Sequence, residues 1–204
     1  MDKSTTRPRS ATRSIETTQG ILTYSQLAPL LARQVARAEE RILDGVYANV
    51  RSFAQLALDF HREIAFALVP DWAGKWRINQ VVVGTHTPPP SHEVPILMHQ
   101  YADDISMRLT HAGESENLLL EMLAYAEGRF LGIHPFSDFN GRVVRLLLRE
   151  LLFRLKLPPV TLLPKTDSDE EQIYLKALGA ADRLDWTSLI AIWKKRFERV
   201  HFSK

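Results

Sequence analysis

A mainly α-helical fold is predicted by two features of this sequence. Apolar residues recur at steps of three and four over several long stretches, which is the spacing of one face of an α-helix. Only 9 of the 204 residues are glycine, a residue that weakens helix interiors. The β-branched run at residues 81–83, bounded downstream by three prolines, indicates one short, edge-exposed hairpin. We therefore expect a helical bundle that carries a small β-hairpin.

The apolar stripes give the order of the predicted helices. Five of them cover residues 27–46, 53–68, 95–109, 116–131 and 142–155, and two more follow the acidic stretch 166–171 and Asp185. The helix at 142–155 is apolar nearly all round, which predicts a central position. His61 lies on the apolar stripe of the second helix and is interpreted as a structural core residue. The basic run at residues 194–196 is interpreted as a solvated helix face.

Length and composition favour one domain with a short tail. A chain of 204 residues can bury one substantial core. Residues 1–13 are rich in Ser, Thr, Arg and Pro and lack an apolar period, which is typical of a flexible tail. We expect residues 1–20 to form this tail together with a candidate regulatory segment, and residues 21–204 to form a single helical domain.

Charge and cysteine content exclude several classes of protein. The net charge is only +2, so the basic excess does not argue for binding to nucleic acid or to an acidic membrane. The chain has no cysteine, which excludes disulfides, thiolate catalysis and cysteine-ligated zinc. No signal-peptide pattern or apolar run of membrane-spanning length is present. These features predict a cytoplasmic protein without a membrane partner.

Residues 133–145, with the sequence IHPFSDFNGRVVR, combine the side chains of a phosphate site. His134 can change protonation near neutral pH, as a general base must. Asp138 offers a hard oxygen ligand for Mg²⁺. Gly141 permits backbone angles that bulkier residues resist, so the first N–H groups of the following helix can face an anion. Arg142 and Arg145 are three residues apart and therefore share one helix face.

This stretch resembles the signature of Fic-domain proteins, HxFx(D/E)GNGRxxR, whose members mostly transfer AMP from ATP to hydroxyl side chains of target proteins. The resemblance implies a Fic-type helical bundle with a hairpin flap over the active site. It implies that His134 takes the proton of the target hydroxyl and that Asp138 holds Mg²⁺ between phosphates. The resemblance assigns the phosphates to Asn140, Gly141, Arg142 and Arg145, with Arg145 on the terminal phosphate. Gly141 stands where phosphate-transferring relatives carry lysine, which favours AMP transfer.

Phe139 departs from the signature, which has glycine there. A large ring at this position opposes a positive φ angle and can crowd the path of the phosphates. The ring can instead pack outward as a tolerated variation. The sequence leaves both readings open.

A second segment supports the resemblance. The stretches AGKWR at residues 73–77 and GTHTPPPSHEVP at residues 84–95 resemble the part of the family that forms the flap. We define the flap as Val81, Val82, Val83, Gly84 and Thr85. Its unpaired edge can bind an extended target segment by strand addition; the alternative is a surface hairpin with no partner.

Many Fic proteins restrain themselves with a helix bearing (S/T)xxxE(G/N). Residues 12–16 fit TxxxE, although Thr17 replaces the expected Gly or Asn. The resemblance therefore implies that Glu16 lies on an N-terminal inhibitory helix and pairs with Arg145.

The sequence thus predicts a protein adenylyltransferase that uses ATP and Mg²⁺, is autoinhibited through Glu16, and acts on a target protein with an accessible Ser, Thr or Tyr hydroxyl. Self-modification and homo-oligomerisation are left open. One alternative, motivated by Phe139, is a catalytically silent or differently specific nucleotide-binding module that docks a partner through the flap. A helical nucleic-acid binder is disfavoured by the modest charge.

Overall fold

In the computed structural model, residues 4–6 and 14–201 are described. Within these ranges the chain forms seven α-helices and four short strands. The helices are α1 (Tyr24–Leu43), α2 (Phe53–Ala65), α3 (Val94–His111), α4 (Glu116–Ile133), α5 (Asn140–Arg154), α6 (Asp169–Ala181) and α7 (Thr187–His201). The strands are β1 (Ser4–Thr6), β2 (Ser14–Thr17), β3 (Gly20–Thr23) and β4 (Val81–Val83). The predicted mainly α-helical fold is confirmed.

Short polar side chains start most of these helices. Thr23 and Gln26 form a reciprocal capping box at α1, in which the Gln26 side chain accepts a 2.8 Å bond from the Thr23 N–H. The hydroxyls of Ser52, Ser115 and Ser168 each accept a bond from the first turn of α2, α4 and α6. Such caps satisfy N–H groups that have no partner within the helix, each at about 1 kcal/mol.

Helices α4 and α5 form the centre of the bundle. Helix α5 packs against α1, α2 and α4, while α4 also packs against α3, α6 and α7. The leucines of α5 that face these neighbours are fully buried: Leu146, Leu147, Leu148 and Leu151. The segment that joins α4 to α5, residues 134–139, therefore emerges between the two most enclosed helices. We call this segment the site loop.

The N-terminal region differs from the tail and helix predicted for it. Ser14–Thr17 and Gly20–Thr23 pair as an antiparallel hairpin, in which Glu16 lies opposite Ile21. The turn is tied to the segment just after α2 by bonds from the Thr18 N–H to the Leu68 carbonyl (2.9 Å) and from the Thr18 hydroxyl to the Ala67 carbonyl (2.8 Å). Ser4–Thr6 forms a strand as well. The rest of the predicted tail, residues 1–3 and 7–13, lies outside the described residues.

The flap forms the expected small hairpin, reduced to strand β4 and one antiparallel bridge between Val83 and His86. Strand β4 is followed by a tight turn that two bonds of 2.9 Å between Val83 and His86 close. Gly84 occupies this turn with φ of 60°, which glycine adopts at little cost. The neighbour of β4 in its sheet is β1, in parallel orientation.

None of the helices in the described ranges has both the length and the apolar composition needed to cross a membrane.

Candidate active site

The site loop begins and ends with a residue in the left-handed backbone conformation. His134 has φ of 50° and terminates α4, while Phe139 has φ of 61° and precedes the first residue of α5. The carbonyl of Phe139 accepts bonds from the N–H groups of Arg142 (2.8 Å) and Val143 (3.1 Å). These two turns reverse the chain within six residues, so that the start of α5 lies beside the end of α4.

Asn140 holds the loop in this shape. Its side-chain oxygen accepts a 2.9 Å bond from the Phe136 N–H, and its side-chain nitrogen donates a 2.9 Å bond to the Phe136 carbonyl. The side chain is buried, and both of its polar atoms are engaged by the loop backbone. Both polar atoms of Asn140 therefore clamp the loop in this structure, and the contact of Asn140 with phosphate stays a prediction.

Phe136 anchors the loop to the core. Its ring is fully buried and stacks on the His61 ring with centroids 3.9 Å apart and an interplanar angle of 2°. Trp76 and Phe130 flank the same ring at 5.1 and 6.3 Å. The site loop is thus fixed by an aromatic cluster as well as by hydrogen bonds.

Phe139 belongs to the same cluster. Its ring is 3% exposed and stacks on Trp72 with centroids 5.5 Å apart. The idea that the ring packs outward is wrong, and so is the expectation that a bulky residue opposes positive φ here. Burial of the ring stabilises the folded protein by about 3–5 kcal/mol. The left-handed backbone conformation costs only about 1–2 kcal/mol, so the folded protein tolerates it.

This balance makes a prediction about substitutions at position 139. Phe139→Gly should destabilise the protein by about 2–3 kcal/mol, because the lost ring outweighs the relieved backbone. Phe139→Ala should be about 1 kcal/mol worse than Phe139→Gly, since alanine keeps the backbone cost and still loses the ring. Urea unfolding measures both differences.

The matched control is Lys176, which is exposed on α6. There the order should reverse, with alanine more stable than glycine by about 1 kcal/mol. The same order at both positions would contradict the left-handed conformation of Phe139.

His61 is a structural histidine, as predicted. It is fully buried, and its Nδ1 accepts a 2.8 Å bond from the Gly74 N–H, which places the proton of the neutral ring on Nε2. Burial lowers the pKa of His61 from 6.5 to about 3, and a backbone hydrogen bond with Asp138 acts in the opposite direction. The ring is therefore neutral at physiological pH, which suits a structural rather than a catalytic role.

The lowered pKa of His61 predicts acid sensitivity. As pH falls below 6.5, the unfolded chain takes up a proton at this position while the folded protein does not, so stability is lost between about pH 6.5 and pH 3. The contribution is up to roughly 1.4 kcal/mol for each pH unit. His61→Asn, which retains an acceptor, should flatten the stability profile from pH 7 to 4.5 in urea titrations. The same substitution at exposed His99 should leave that slope unchanged, and equal slopes for all three proteins would refute the assignment.

Arg142 and Arg145 lie at the start of α5, directly after the site loop. Both are partly buried, and burial lowers the pKa of each; the charge of Arg142 lowers the pKa of Arg145 further. Neither guanidinium makes a hydrogen bond or ion pair with another described residue. An anion stabilises two neighbouring cations at the start of a helix. Phosphate suits this position because it can bind both the guanidinium groups and the N–H groups of the helix N-terminus.

Gly141 does not adopt the unusual backbone angles expected of it, and its contact with phosphate stays a prediction. It lies inside the first turn of α5 with a negative φ, so the left-handed turn belongs to Phe139. A Cβ atom at this position would lie 3.5 Å from Nη1 of Arg145. The absence of a side chain thus leaves space beside the guanidinium and exposes the helix N-terminus.

Asp138 lies between the histidine and the arginines along the loop. It is buried, its Oδ1 accepts a 2.7 Å bond from the Phe139 N–H, and its negative charge acts on Arg142. Among the residues that the structure describes, no three His, Asp or Glu side chains cluster as a metal cage. One carboxylate oxygen donor suits Mg²⁺ when substrate phosphates supply further ligands.

Arg77 was not singled out as a site residue, yet it holds the flap against the site loop. Its Nε donates a 2.8 Å bond to the His134 carbonyl, and its Nη groups donate to the carbonyls of Asn79 (3.1 Å) and Pro89 (2.6 Å). Its own N–H donates to the Pro135 carbonyl at 2.9 Å. The guanidinium is buried, which lowers its pKa. Arg77 and His134 are 57 residues apart in sequence, and such a contact produces no periodic pattern. The sequence therefore gave no signal for this role of Arg77.

Glu16 does not lie on a helix, so the predicted inhibitory helix is wrong. Alternating β-branched residues and a glycine turn favour a hairpin, in which Glu16 is exposed and Ile15 packs inward. In the described part of the chain, the carboxylates that act on Arg145 are those of Glu39 and Glu127. The structure gives no support to a Glu16–Arg145 pair.

Comparison with known proteins identifies the family. The family model described as Fic/DOC matches residues 51–152, which include the flap and the whole site loop. The chain belongs to the Fic/DOC family. Curated Fic/DOC relatives include the protein named protein adenylyltransferase Fic of Drosophila willistoni, 33% identical over 134 residues, and that of Drosophila persimilis, 34% identical over 135 residues. Each match covers 66% of this chain but only 26% and 25% of the relative, so the chain spans about a quarter of their length.

Solved Fic structures confirm the fold. A fragment of Fic-1 from C. elegans has a TM-score of 0.63 at 22% identity and covers 88% of this chain and 56% of that one. BepC from Bartonella tribocorum, solved with bound AMPPNP, has a TM-score of 0.66 at 14% identity and covers 92% of this chain and 94% of that one. At these identities the likeness concerns the fold.

Proposed function

We propose that this Fic protein transfers AMP from ATP to a hydroxyl side chain of a protein. The observation that carries the proposal is the site loop, which places His134, Asp138 and the start of α5 within one fixed turn. The relatives named protein adenylyltransferase, and the AMPPNP bound by a structural neighbour, support ATP as the substrate. The alternative of a catalytically silent module was based on Phe139. Because the ring of Phe139 is buried against Trp72, this residue no longer favours that alternative.

The reaction needs a nucleophile, a leaving group and charge neutralisation. The hydroxyl oxygen bonds to the α-phosphorus as the bond from that phosphorus to pyrophosphate breaks, and His134 accepts the hydroxyl proton. The N-terminus of α5, Arg142 and Arg145 bind the polyphosphate and stabilise the charge on pyrophosphate. Asp138 would hold Mg²⁺, which supplies further neutralisation of the phosphates.

Other residues of this chain position these groups. Arg77 and Asn140 fix the loop backbone on both sides of the histidine. The flap lies beside them with an edge that can hold an extended peptide, which suits a protein target with an accessible hydroxyl. The cytoplasmic location that the sequence predicts remains a prediction.

The test of this function is label transfer from ATP in a cell lysate. Label on the α-phosphate should appear on protein, whereas label on the γ-phosphate should not. His134→Asn is the matched inactive variant, since asparagine tolerates the left-handed backbone but cannot act as the base. Protein labelling from γ-labelled ATP, or equal labelling by the variant, would contradict AMP transfer.

Arg145 should contribute strongly to nucleotide binding. We expect Arg145→Ala to weaken binding of AMPPNP by roughly 10- to 100-fold, the equivalent of one charge-assisted hydrogen bond of about 1.5–3 kcal/mol. Isothermal titration calorimetry measures this change. Arg33→Ala, which removes an exposed arginine of α1, should leave the affinity unchanged. Equal affinities for all three proteins would remove Arg145 from the binding site.

A further inference from the structure

His86, directly after the flap, lies between the C-terminal ends of two helices. Its Nε2 is 2.9 Å from the carbonyl oxygen of Gly132, in the last turn of α4, where carbonyls have no partner within the helix. Its Nδ1 is 3.2 Å from a carboxylate oxygen of Asp182, the residue that caps the C-terminus of α6. One imidazole ring therefore joins the end of the flap to both α4 and α6.

The two partners of the ring determine how many protons the contact needs. A carbonyl oxygen only accepts, so Nε2 of His86 must carry a hydrogen. If Nδ1 carried none, its lone pair would face the Asp182 carboxylate, and two acceptors repel each other. The contact therefore requires one more proton, held either by the ring as imidazolium or by Asp182 as a carboxylic acid. Removal of that proton breaks the contact in either case.

The surroundings of the pair favour retention of this proton. The C-terminal end of a helix carries partial negative charge, so the ends of α4 and α6 stabilise a cation between them. Burial raises the pKa of Asp182, while the charges of His86 and Arg183 act in the opposite direction. Arg129 and Glu93, one positive and one negative group, line a cavity of about 320 Å³ beside the pair. Both side chains of the pair are partly exposed, so the proton can exchange with water.

The flap is held on both sides, and only one side depends on a proton. Before β4, Arg77 donates to the His134 carbonyl, and arginine stays charged at physiological pH. After β4, the His86 ring bonds the Gly132 carbonyl in the same segment of the chain, and the His86 backbone closes the flap turn on Val83. Loss of the ring contacts therefore frees one end of the flap relative to His134.

We propose that His86 and Asp182 position the flap for AMP transfer to proteins, and that they do so only while they share a proton. The inference rests on the proposed function. An unpaired histidine takes up its proton near pH 6.5, and a neighbouring carboxylate favours this uptake. The contact is therefore present at low pH and is lost as the pH rises, because the held flap binds one proton more than the released flap. Protein targets then bind less well, whereas the nucleotide, which Arg142 and Arg145 bind, is unaffected.

Three variants separate the proton from the contact. In Asp182→Asn, the amide can donate to an unprotonated Nδ1 and accept from a protonated one, so the contact no longer needs the extra proton. His86→Ala removes both ring contacts at every pH. The matched control is His92→Ala, which removes an exposed histidine downstream of the flap.

Hydrogen exchange, which needs no ATP, tests the pair directly. The reporter is the N–H of Val83, which bonds the carbonyl of residue 86. After correction for the intrinsic effect of pH, its protection should fall roughly tenfold between about pH 6 and pH 8.5, the equivalent of one charge-assisted hydrogen bond. Asp182→Asn should give a flat profile, His86→Ala low protection throughout, and His92→Ala the profile of the wild type. Equal profiles for the wild type and Asp182→Asn would overturn the proposal.

Transfer kinetics test the positioning role. Transfer from ATP labelled at the α-phosphate, measured over a dilution series of one lysate, gives an apparent KM for protein targets and a maximal rate. At neutral pH, His86→Ala should raise this KM roughly tenfold and leave the maximal rate and AMPPNP affinity unchanged. The ratio of the wild-type KM to the Asp182→Asn KM should rise with pH, and this ratio cancels the ionisation of His134, which both proteins share. An unchanged KM in His86→Ala would overturn the positioning role.

The two experiments also separate the possible failures. A labelled lysate together with pH-independent protection of Val83 refutes this inference alone. The absence of label on any protein refutes the proposed function, and with it the role of the pair in transfer, whatever the exchange profile shows.

Discussion

His134→Asn should lower the rate of AMP transfer by about 10²–10⁴-fold, the usual contribution of a general base. The reason is that an imidazole nitrogen can accept the hydroxyl proton, whereas an asparagine side chain cannot. The measurement is the initial rate of label transfer from ATP labelled at the α-phosphate. AMPPNP affinity and the unfolding midpoint should stay close to those of the wild type, because the arginines and the loop clamp are intact.

The comparison that isolates the base is Arg145→Ala. That variant should bind nucleotide weakly, whereas His134→Asn should bind it normally and fail to transfer it. A loss of transfer accompanied by an equal loss of nucleotide affinity would instead place His134 among the binding residues. Unchanged transfer by His134→Asn would remove it from the reaction altogether.

The sequence predicted the helices and the site loop because each depends on neighbours along the chain. The stripe of α5 has a period of 3.6 residues, and the loop residues that carry the chemistry lie within a dozen positions. The backbone of the loop could not be predicted in the same way. Phe139 is the residue that local preferences would not place at positive φ, and only its burial against Trp72 makes that conformation favourable.

Contacts between distant segments account for the other differences. Arg77 reaches the carbonyls of the flap and of the loop, and Asn140 returns to Phe136, although none of these residues forms a periodic pattern. The run at residues 194–196 is only partly a solvated face, because Lys194 and Lys195 are exposed whereas Arg196 is buried. Its partner, Glu127, is 69 residues away. A charge run alone gives no information about such pairing.

Glu127→Gln is expected to destabilise the protein by about 3–5 kcal/mol, the cost of leaving a buried charge without its partner. Arg196 donates to the two Glu127 oxygens at 2.6 and 3.2 Å, and both side chains are buried. The Tyr174 hydroxyl donates to Glu127 at 2.7 Å, and burial followed by this negative charge raises the pKa of Tyr174. Urea unfolding at neutral pH measures the loss.

The exposed pair of Glu170 and Arg199 provides a matched control, since it joins the same two helices as Tyr174 and Arg196. Glu170→Gln should change stability far less, because water screens an exposed pair. The double variant Glu127→Leu/Arg196→Met should recover most of the stability lost in Glu127→Gln, since no charge is then left buried. Failure of this recovery would show that packing around Glu127 dominates.

The same variants connect the buried pair to the active site. Glu127 and Tyr174 both act on the charge of Arg145, so their loss changes the field at the proposed phosphate site. The double variant Glu127→Leu/Arg196→Met restores stability but not this field. An altered affinity of this variant for AMPPNP, at a recovered free energy of unfolding, would show that the Glu127–Arg196 pair affects nucleotide binding through Arg145. An unchanged affinity would show that the pair only holds α4, α6 and α7 together.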